Sequence, residues 1–178
     1  MRLPSLHQFF RHQLEQGFHA CGMNIAADTI EYVSEVLAEF AYARIFHGLR
    51  DVEGRPLEYI VDMLLAHQQA QSGANGRRDA ARERAVMRYI GDYALFMSGL
   101  FRERVKARGE LDYYVAHGRN AFWRSADYEI NPLRRKTYQH LYQDFSPISD
   151  TLDYLRRVQF PLAGRTESDN LLAAYWRV

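Results

Sequence analysis

The sequence predicts an all-α fold, a single-domain multi-helix bundle of about six to eight helices that spans residues 1–178. Apolar residues recur at spacings of three and four along almost the whole chain, which is the period of an amphipathic helix. Segments of alternating polarity, typical of strands, are nearly absent. Capping patterns and glycine or proline breaks divide the chain into segments of helical length, and no repeat or linker separates a second domain.

The first helices are marked at their starts by two capping boxes, "SLHQ" from Ser5 and "DTIE" from Asp28. We expect the first helix to end at Gly17 or soon after. The second should run to Gly48, because glycine is the favoured residue just past a helix end. Pro56 suits the first turn of a third helix, since proline has no backbone N–H to lose there.

The middle of the chain contains the clearest loop signal, "QSGANG" at residues 71–76. The segment after it, "RRDAARERAVMRYIGDYALFMSGLFRERVKARG", is predicted as one long helix in which Gly91 and Asp92 form the only expected break. Asp112 is predicted to cap the following helix, which should end near "SADYEINP".

The last long helix is expected to start after Asn131 and Pro132 and to run to about Phe160. Pro147 should stop or kink it, because a proline inside a helix removes a hydrogen bond and its ring collides with the preceding turn. The segment "TESDNLLAAYWRV" closes the chain as a short amphipathic stretch.

The amino-acid composition narrows the classes of protein to which this chain can belong. The formal net charge is +1, with 47% hydrophobic and 25% charged residues, which is typical of a globular protein and not of a nucleic-acid binder. Basic clusters such as "RRDAARER" are interleaved with acids, so we do not expect nucleic acid as a partner. Cys21 is the only cysteine, which excludes an intrachain disulfide. The first residues lack the unbroken apolar stretch of a secretory signal, and no run approaches the ~18 apolar residues that span a bilayer, so we expect a cytoplasmic protein with no membrane contact.

Two charged residues are candidates for buried polar positions. Arg44 continues the apolar stripe of the second helix, so it either pairs with an acid or lies near the helix end, where the dipole stabilises it. Asp92 is the only charged residue between Tyr89 and Phe101. Such a carboxylate could have a raised pKa and act as a general acid, and it could pair with Arg44. A structural role, as an i, i+4 partner of Arg88 or as a helix cap, is favoured for Asp92.

The stretch "DYYVAHGRNAFW", residues 112–123, concentrates aromatic rings on one predicted helix. Tyr113 and His117 lie on one flank, and His117 is the group that could do proton chemistry near neutral pH, although a hydrogen-bonded structural role is favoured. Arg119 and Trp123 project to the opposite side, where we expect a cation–π pair. A ridge of mostly small residues between these sides predicts a close helix crossing, at Tyr114, Gly118, Ala121 and Ser125.

Three residues of the first helix, at spacings of three and four, could together bind a metal ion. They are His12, Glu15 and His19. These residues share a face that lies opposite the apolar one, so a solvated surface is the favoured interpretation. The chain has no Glu-x-x-His motif of a di-iron bundle and no glycine-rich phosphate loop. We therefore expect no metal and no cofactor.

Two segments, "YIGDYALFMSGLF" and "LDYYVAHGRNAF", together with "TIEYVSEVLAEF", resemble a family of uncharacterised small all-helical bacterial proteins with the pattern GDxxLF followed by YYxxxGRxA. The resemblance spans about residues 28–125 and implies a bacterial, cytoplasmic, helical protein. It implies no catalytic residue, because none is known for the family. The matching residues are Gly91, Asp92, Leu95, Phe96, Tyr113, Tyr114, Gly118, Arg119 and Ala121.

The sequence thus favours a non-enzymatic protein-interaction or regulatory module that binds another protein or a second copy of itself. Arg119, Trp123 and Trp176 are its candidate surface, since arginine and aromatic residues dominate interface centres. The alternative is a bundle that binds a small aromatic or haem-like ligand and could have enzymatic activity. Arg44 or Asp92 would anchor that ligand, and its wall would be Tyr89, Tyr93, Phe96, Met97, Tyr113 and His117.

Overall fold

The computed structural model describes residues 5–43, 60–73 and 77–159. Within them the chain forms eight α-helices, then one π-helical turn at Leu155–Gln159, and no strand, which confirms the all-α prediction. None of the helices in these ranges is both long and apolar enough to span a bilayer. The helices are α1 (Leu6–Ala20), α2 (Ala27–Ala43), α3 (Ile60–Ser72), α4 (Ala80–Leu100), α5 (Arg102–Ala107), α6 (Leu111–Tyr128), α7 (Pro132–Gln143) and α8 (Phe145–Tyr154).

The start of α1 is the predicted capping box. The Gln8 N–H donates to Ser5 Oγ at 3.2 Å, and the Ser5 N–H donates to Gln8 Oε1 at 3.1 Å. The helix continues past Gly17 to Ala20. Gly17 packs directly against α8's continuation, where an added methyl group would lie 2.7 Å from Leu155 Cδ2.

The start of α2 differs from the prediction. The helix begins at Ala27, so Asp28 lies inside its first turn and is not the N-cap. Two backbone N–H groups of that turn donate to the Ala26 carbonyl, so the turn closes without the aspartate side chain. The Asp28 charge still lies near the positive end of the helix dipole. The predicted helix end at Gly48 and the predicted start at Pro56 lie outside the described residues.

α4 begins with a cap and then runs without interruption. Asp79 Oδ1 accepts a 2.9 Å hydrogen bond from the Arg82 N–H. The helix passes through Gly91 and Asp92, so the break predicted there is wrong. The long helix divides instead at Phe101, which separates α4 from α5.

A glycine lies in the connection before α6, and a proline lies in the first turn of the helix after it. Gly109 has φ +71°, a left-handed conformation that glycine adopts without steric cost, and it turns the chain from α5 into α6. α6 begins at Leu111, so Asp112 lies in its first turn and the predicted cap is wrong. α7 begins as predicted, with Asn131 as its cap and Pro132 in its first turn.

The predicted single helix after Asn131 is divided earlier than expected. α7 ends at Gln143, Asp144 lies between the helices, and Pro147 lies in the first turn of α8. Pro147 has no N–H to donate to the Gln143 carbonyl, and its ring would collide with that carbonyl, so the break falls one turn before the proline. The predicted end near Phe160 and the amphipathic C-terminal segment lie outside the described residues.

α4 lies at the centre of the bundle and packs against α3, α6 and α8, while α6 also packs against α7. Three glycines occupy the crossings, and a methyl group on each would lie less than 3.0 Å from a side chain opposite. These pairs are Gly91 with Phe122, Gly99 with Leu152, and Gly118 with Phe145. The predicted packing ridge of α6 is therefore confirmed, and its members Tyr114, Gly118, Ala121 and Ser125 are all buried.

Candidate functional site

A buried carboxylate in α4 joins this helix to α2. Asp92 Oδ1 accepts a 2.7 Å hydrogen bond from the Tyr32 hydroxyl of α2, and Asp92 Oδ2 lies 4.0 Å from Arg88 Nε. Asp92 is 6% exposed. The Tyr138 ring of α7 packs edge-on against Tyr32 with 5.6 Å between ring centroids. The predicted pair with Arg88 is confirmed, whereas Arg44 lies outside the described residues.

The environment of Asp92 shifts its protonation equilibrium. Burial raises the pKa of Asp92 to about 7, and the hydrogen bond from Tyr32 and the charge of Arg88 oppose the shift without cancelling it. Burial also raises the pKa of Tyr32 well above its ordinary value, so this phenol remains a donor. The carboxyl therefore titrates near neutral pH inside a closed core, where it holds α2 to α4.

Tyr113 and His117 form a separate pair on α6. Their ring centroids are 4.2 Å apart, and Tyr113 is 42% exposed. Burial lowers the pKa of His117, so its imidazole is neutral at physiological pH. Among the described residues, Asp92 contacts Tyr32 and Arg88 and not His117, so the structure does not combine Asp92 and His117 into one acid–base site.

The α4 rings predicted as part of a ligand wall, Tyr89, Tyr93 and Phe96, each pack against Phe40 of α2. Phe40 stacks on Phe96 with 4.8 Å between centroids and lies 5.5 Å from Tyr89. Tyr93 connects this cluster to α6 through Tyr114, at 6.2 Å. These α4 rings therefore form an aromatic contact between helices in the described part of the chain.

Arg119 and Trp123 lie on the outer side of α6, as predicted, but they do not form the predicted cation–π pair. The Arg119 guanidinium lies over the Tyr142 ring of α7, 5.2 Å from its centroid, and Arg119 Nε donates to the Tyr142 carbonyl at 3.4 Å. Tyr142 offers both a ring face and a carbonyl to the same side chain, which the Trp123 ring does not. Trp123 remains 50% exposed. Trp176 lies outside the described residues.

These side chains border a groove between α6 and α7 with a volume of about 310 Å³. We call it the α6–α7 groove; its lining residues are Ala116, Arg119, Asn120, Trp123 and Tyr142. The guanidinium of the exposed Arg119 contacts α7. The groove is thus a shallow surface with an exposed indole and a pre-positioned cation, a composition typical of interface centres.

Two members of the metal set considered in the first helix have partners on the same helix. Glu15 pairs with Arg11 at 3.2 Å, and His12 Nε2 lies 3.0 Å from Gln16 Nε2. A different set has ligand spacing, since one ligand atom from each of His7, Glu31 and Glu35 lies within 4.8 Å of the others.

The sequence did not reveal that second set because it joins α1 to α2. His7 Nε2 lies 3.1 Å from Glu31 Oε1, and Arg11 Nη1 lies 3.0 Å from Glu31 Oε2. The arginine therefore already neutralises the carboxylate that a metal ion would need. An ion-paired contact between two helices accounts for this cluster.

A second buried carboxylate, Glu83 of α4, was also missed. It is 1% exposed and accepts hydrogen bonds from Arg78 Nε at 2.6 Å and from the Tyr128 hydroxyl at 2.7 Å. The hydrogen bond from Arg78 is the main reason that the pKa of Glu83 falls to about 2. His67 Nε2 lies 3.6 Å from Glu83 Oε1, and burial lowers the pKa of His67. This network ties the start of α4 to α3 and α6, and no local sequence signal distinguishes Glu83 from a surface glutamate.

Comparison of the chain with protein-family models, curated proteins and solved structures finds no match. The resemblance carried by the GDxxLF and YYxxxGRxA segments therefore stays a prediction. Several residues of these segments have packing roles. Gly91 and Gly118 occupy helix crossings, and Asp92 is hydrogen-bonded to Tyr32.

Proposed function

We propose that this chain is a non-enzymatic protein-interaction module whose contact surface is the α6–α7 groove. A cytoplasmic, bacterial setting belongs to the same proposal. It is supported by the single cysteine, the near-neutral charge and the resemblance of the segments around Asp92 and Gly118.

The observation that carries the proposal is the arrangement of Arg119 and Trp123. The half-exposed indole of Trp123 leaves a large apolar area in contact with water. Burial of such a ring against a partner is strongly favourable. Arg119 is held over Tyr142 before binding, so fewer rotamers are lost when a partner contacts it. A pre-ordered cation beside an exposed tryptophan is the arrangement expected at the centre of a protein interface.

The buried ionisable groups support a structural interpretation over a catalytic one. Asp92 is 6% exposed and accepts a hydrogen bond from Tyr32, and Glu83 is 1% exposed and accepts one from Arg78. A general acid or base must come within hydrogen-bond reach of a substrate, and these carboxylates are already occupied by protein donors. The aromatic rings of α4 are likewise in contact with Phe40.

Site-specific photo-cross-linking in cells of the source organism tests the proposal. A photoreactive p-benzoylphenylalanine is incorporated at position 120, within the groove, or at position 81, an exposed position on α4 that serves as the matched control. We expect a discrete protein adduct from position 120, identified by mass spectrometry, and none from position 81.

The adduct from position 120 must also depend on the groove itself. We expect Trp123→Ala to abolish it without changing the amount of folded protein, because the exposed indole is the proposed anchor. Equal adducts from positions 120 and 81, or an adduct that survives Trp123→Ala, would contradict the proposal.

A further inference from the structure

The start of α7 projects from the bundle. Every residue from 130 to 136 is exposed, although five of them form more than one turn of the helix. Leu133 is exposed one turn before the buried Thr137, and the same holds for Arg134, one turn before the buried Tyr138. Residues four apart share a helix face, so the face that is buried further along α7 is open at its start. We call residues 130–136 the α7 tip.

Hydrogen bonds join the α7 tip to the end of α6. Asn131 Oδ1 accepts from the Leu133 N–H at 2.9 Å, and the Asn131 N–H donates to Glu129 Oε1 at 2.9 Å. Arg135 Nε and Nη2 both donate to the Glu129 carbonyl, at 2.9 and 2.6 Å. The side chains of the tip are therefore presented by a defined backbone and not by an irregular loop.

Two bulky aliphatic side chains lie on this projection. Ile130 is 87% exposed and Leu133 is 69% exposed, the two highest values for large hydrophobic residues in the described ranges. Both stand out from the surface and do not line a recess. A partner must therefore receive them into an apolar layer of its own.

The side chains that follow are cationic. Arg134, Arg135 and Lys136 are all exposed, and none of them forms an ion pair with a carboxylate in the part of the chain that the structure describes. The first turn of α7 contains no acidic residue. Cations do not stabilise a helix at its start, since that end of the dipole is already positive. The charge of this cluster suits an anionic partner.

From the combination of exposed aliphatic and cationic side chains we infer that the α7 tip binds the surface of a membrane that contains anionic lipids. Ile130 and Leu133 enter the boundary between headgroups and acyl chains. The three cations remain at the level of the headgroups, where guanidinium and ammonium groups donate to phosphate and carboxylate oxygens. The sequence led us to expect no membrane contact because it has no membrane-spanning run, but binding at the surface needs no such run.

Two features favour a lipid surface over other anionic partners. Nucleic acid offers phosphates but no apolar layer that would receive Ile130 and Leu133. The energetic centres of protein interfaces are enriched in tryptophan, tyrosine and arginine, and leucine is under-represented there. The tip lies at the opposite end of α7 from Tyr142, so it is a separate surface from the α6–α7 groove.

Flotation of the purified full-length chain with lipid vesicles tests the inference. The probes are vesicles of phosphatidylcholine alone and vesicles that also contain about 30 mol% phosphatidylserine. We expect binding at least about tenfold stronger to the anionic vesicles, and weaker binding when sodium chloride is added, because salt screens the attraction. No binding to the anionic vesicles, or equal binding to both kinds, overturns the inference.

The apolar contribution is tested with a matched pair of double variants. Ile130→Ser with Leu133→Ser should weaken binding to the anionic vesicles about tenfold or more. The control, Val61→Ser with Leu65→Ser, changes two exposed aliphatic residues of α3 and should leave binding unchanged. Equal losses in the two double variants would show that the tip is not the contact.

The charged contribution is tested with the two lysines of the chain. Lys136→Gln should weaken binding about fivefold, the loss expected when one cation is removed from an anionic surface. Lys106→Gln, at an exposed position of α5, is the control and should bind as wild type does. Equal effects of the two substitutions would contradict the assignment of the charge to the tip.

Two further measurements distinguish the partner and the surface. Binding to polyglutamate but to neither kind of vesicle would identify an acidic protein as the partner and overturn the lipid assignment. Trp123→Ala, in the α6–α7 groove, should leave vesicle binding unchanged. Vesicle binding that is lost in Trp123→Ala would move the contact to the groove and overturn the assignment to the tip.

Discussion

The Tyr32 hydroxyl of α2 donates a 2.7 Å hydrogen bond to the buried carboxylate of Asp92 in α4. This contact places an ionisable group in the core at the position where α2 meets the centre of the bundle. Burial raises the pKa of Asp92 to about 7, so the folded protein holds a proton there that the unfolded chain has released. The stability of the fold must therefore depend on pH through Asp92.

Asp92→Asn tests that dependence. Because the folded-state pKa is raised, the contribution of Asp92 to stability is fully present below the unfolded pKa of about 3.9 and is lost as pH rises to about 7. The amide resembles the protonated acid, so the variant should be more stable than wild type at pH 8 by on the order of 1–3 kcal/mol. Urea denaturation from pH 4 to 8 measures this difference. Asp127→Asn, at an exposed position of α6, is the control, and identical pH profiles for wild type and Asp92→Asn would refute the buried titration.

Tyr32→Phe separates the hydrogen bond from the burial. Removing the hydroxyl deprives the ionised carboxylate of its donor, so the pKa of Asp92 should rise further. We expect a loss of about 1–3 kcal/mol at pH 8, and a smaller loss at pH 5, where the acid is neutral. The free energy of unfolding at the two pH values checks this, and a larger loss at pH 5 than at pH 8 would show that Tyr32 does not stabilise the carboxylate.

Glu83→Gln is predicted to have the opposite pH signature. The hydrogen bond from Arg78 lowers the pKa of Glu83 to about 2, so its contribution is present above the unfolded pKa and is lost as pH falls through about 2. The variant should lose about 2–3 kcal/mol at pH 7 and approach the wild-type stability at pH 2. Thermal unfolding followed by circular dichroism measures both values. A loss at pH 7 that persists unchanged at pH 2 would mean that packing, and not charge, is what the variant removes.

Gly118→Ala tests the closest crossing in the bundle. The added methyl group would lie 2.5 Å from the Phe145 ring and 2.8 Å from Ala94 Cβ, and Phe145 is fully buried. Overpacking of this kind should destabilise the fold by about 1–3 kcal/mol, even though alanine favours helix more than glycine does. Asp127→Ala, which creates the same residue at an exposed position of α6, should change the stability by no more than about 0.5 kcal/mol. A Gly118→Ala variant as stable as wild type would disprove the tight crossing.

The sequence predicted the parts of the fold that local patterns determine. Apolar periodicity predicted the helices, and the Ser5 box and the Asn131–Pro132 start were placed correctly because caps are local hydrogen bonds. The division of helices was harder to predict. Gly91 lies within α4 and does not break it, because the Phe122 ring fills the space beside it. This tertiary contact overrides glycine's weak helix preference.

The candidate site was predictable only in part, for the same reason. The sequence places Asp92, Arg119 and Trp123 on the faces of predicted helices. The partners of Asp92 and Arg119 come from distant parts of the chain, so the sequence does not predict these contacts. Tyr32 lies 60 residues from Asp92, and Tyr142 lies 23 residues from Arg119. Glu83 was missed because nothing around it in sequence shows that its side chain is directed inward.

The quenching of Trp123 fluorescence tests the central claim, that the α6–α7 groove is a protein-interaction surface, most directly. Trp176→Phe leaves Trp123 as the single tryptophan, since the chain has two, and its incorporation as 5-hydroxytryptophan separates its emission from that of a partner's tryptophans. In the free chain the half-exposed indole should be readily quenched by acrylamide. The account predicts that quenching falls severalfold when the protein that cross-links at position 120 is added, and that Ala116→Arg, which fills the groove with a charged side chain, prevents this fall. Quenching that stays constant when that protein is added would contradict the account.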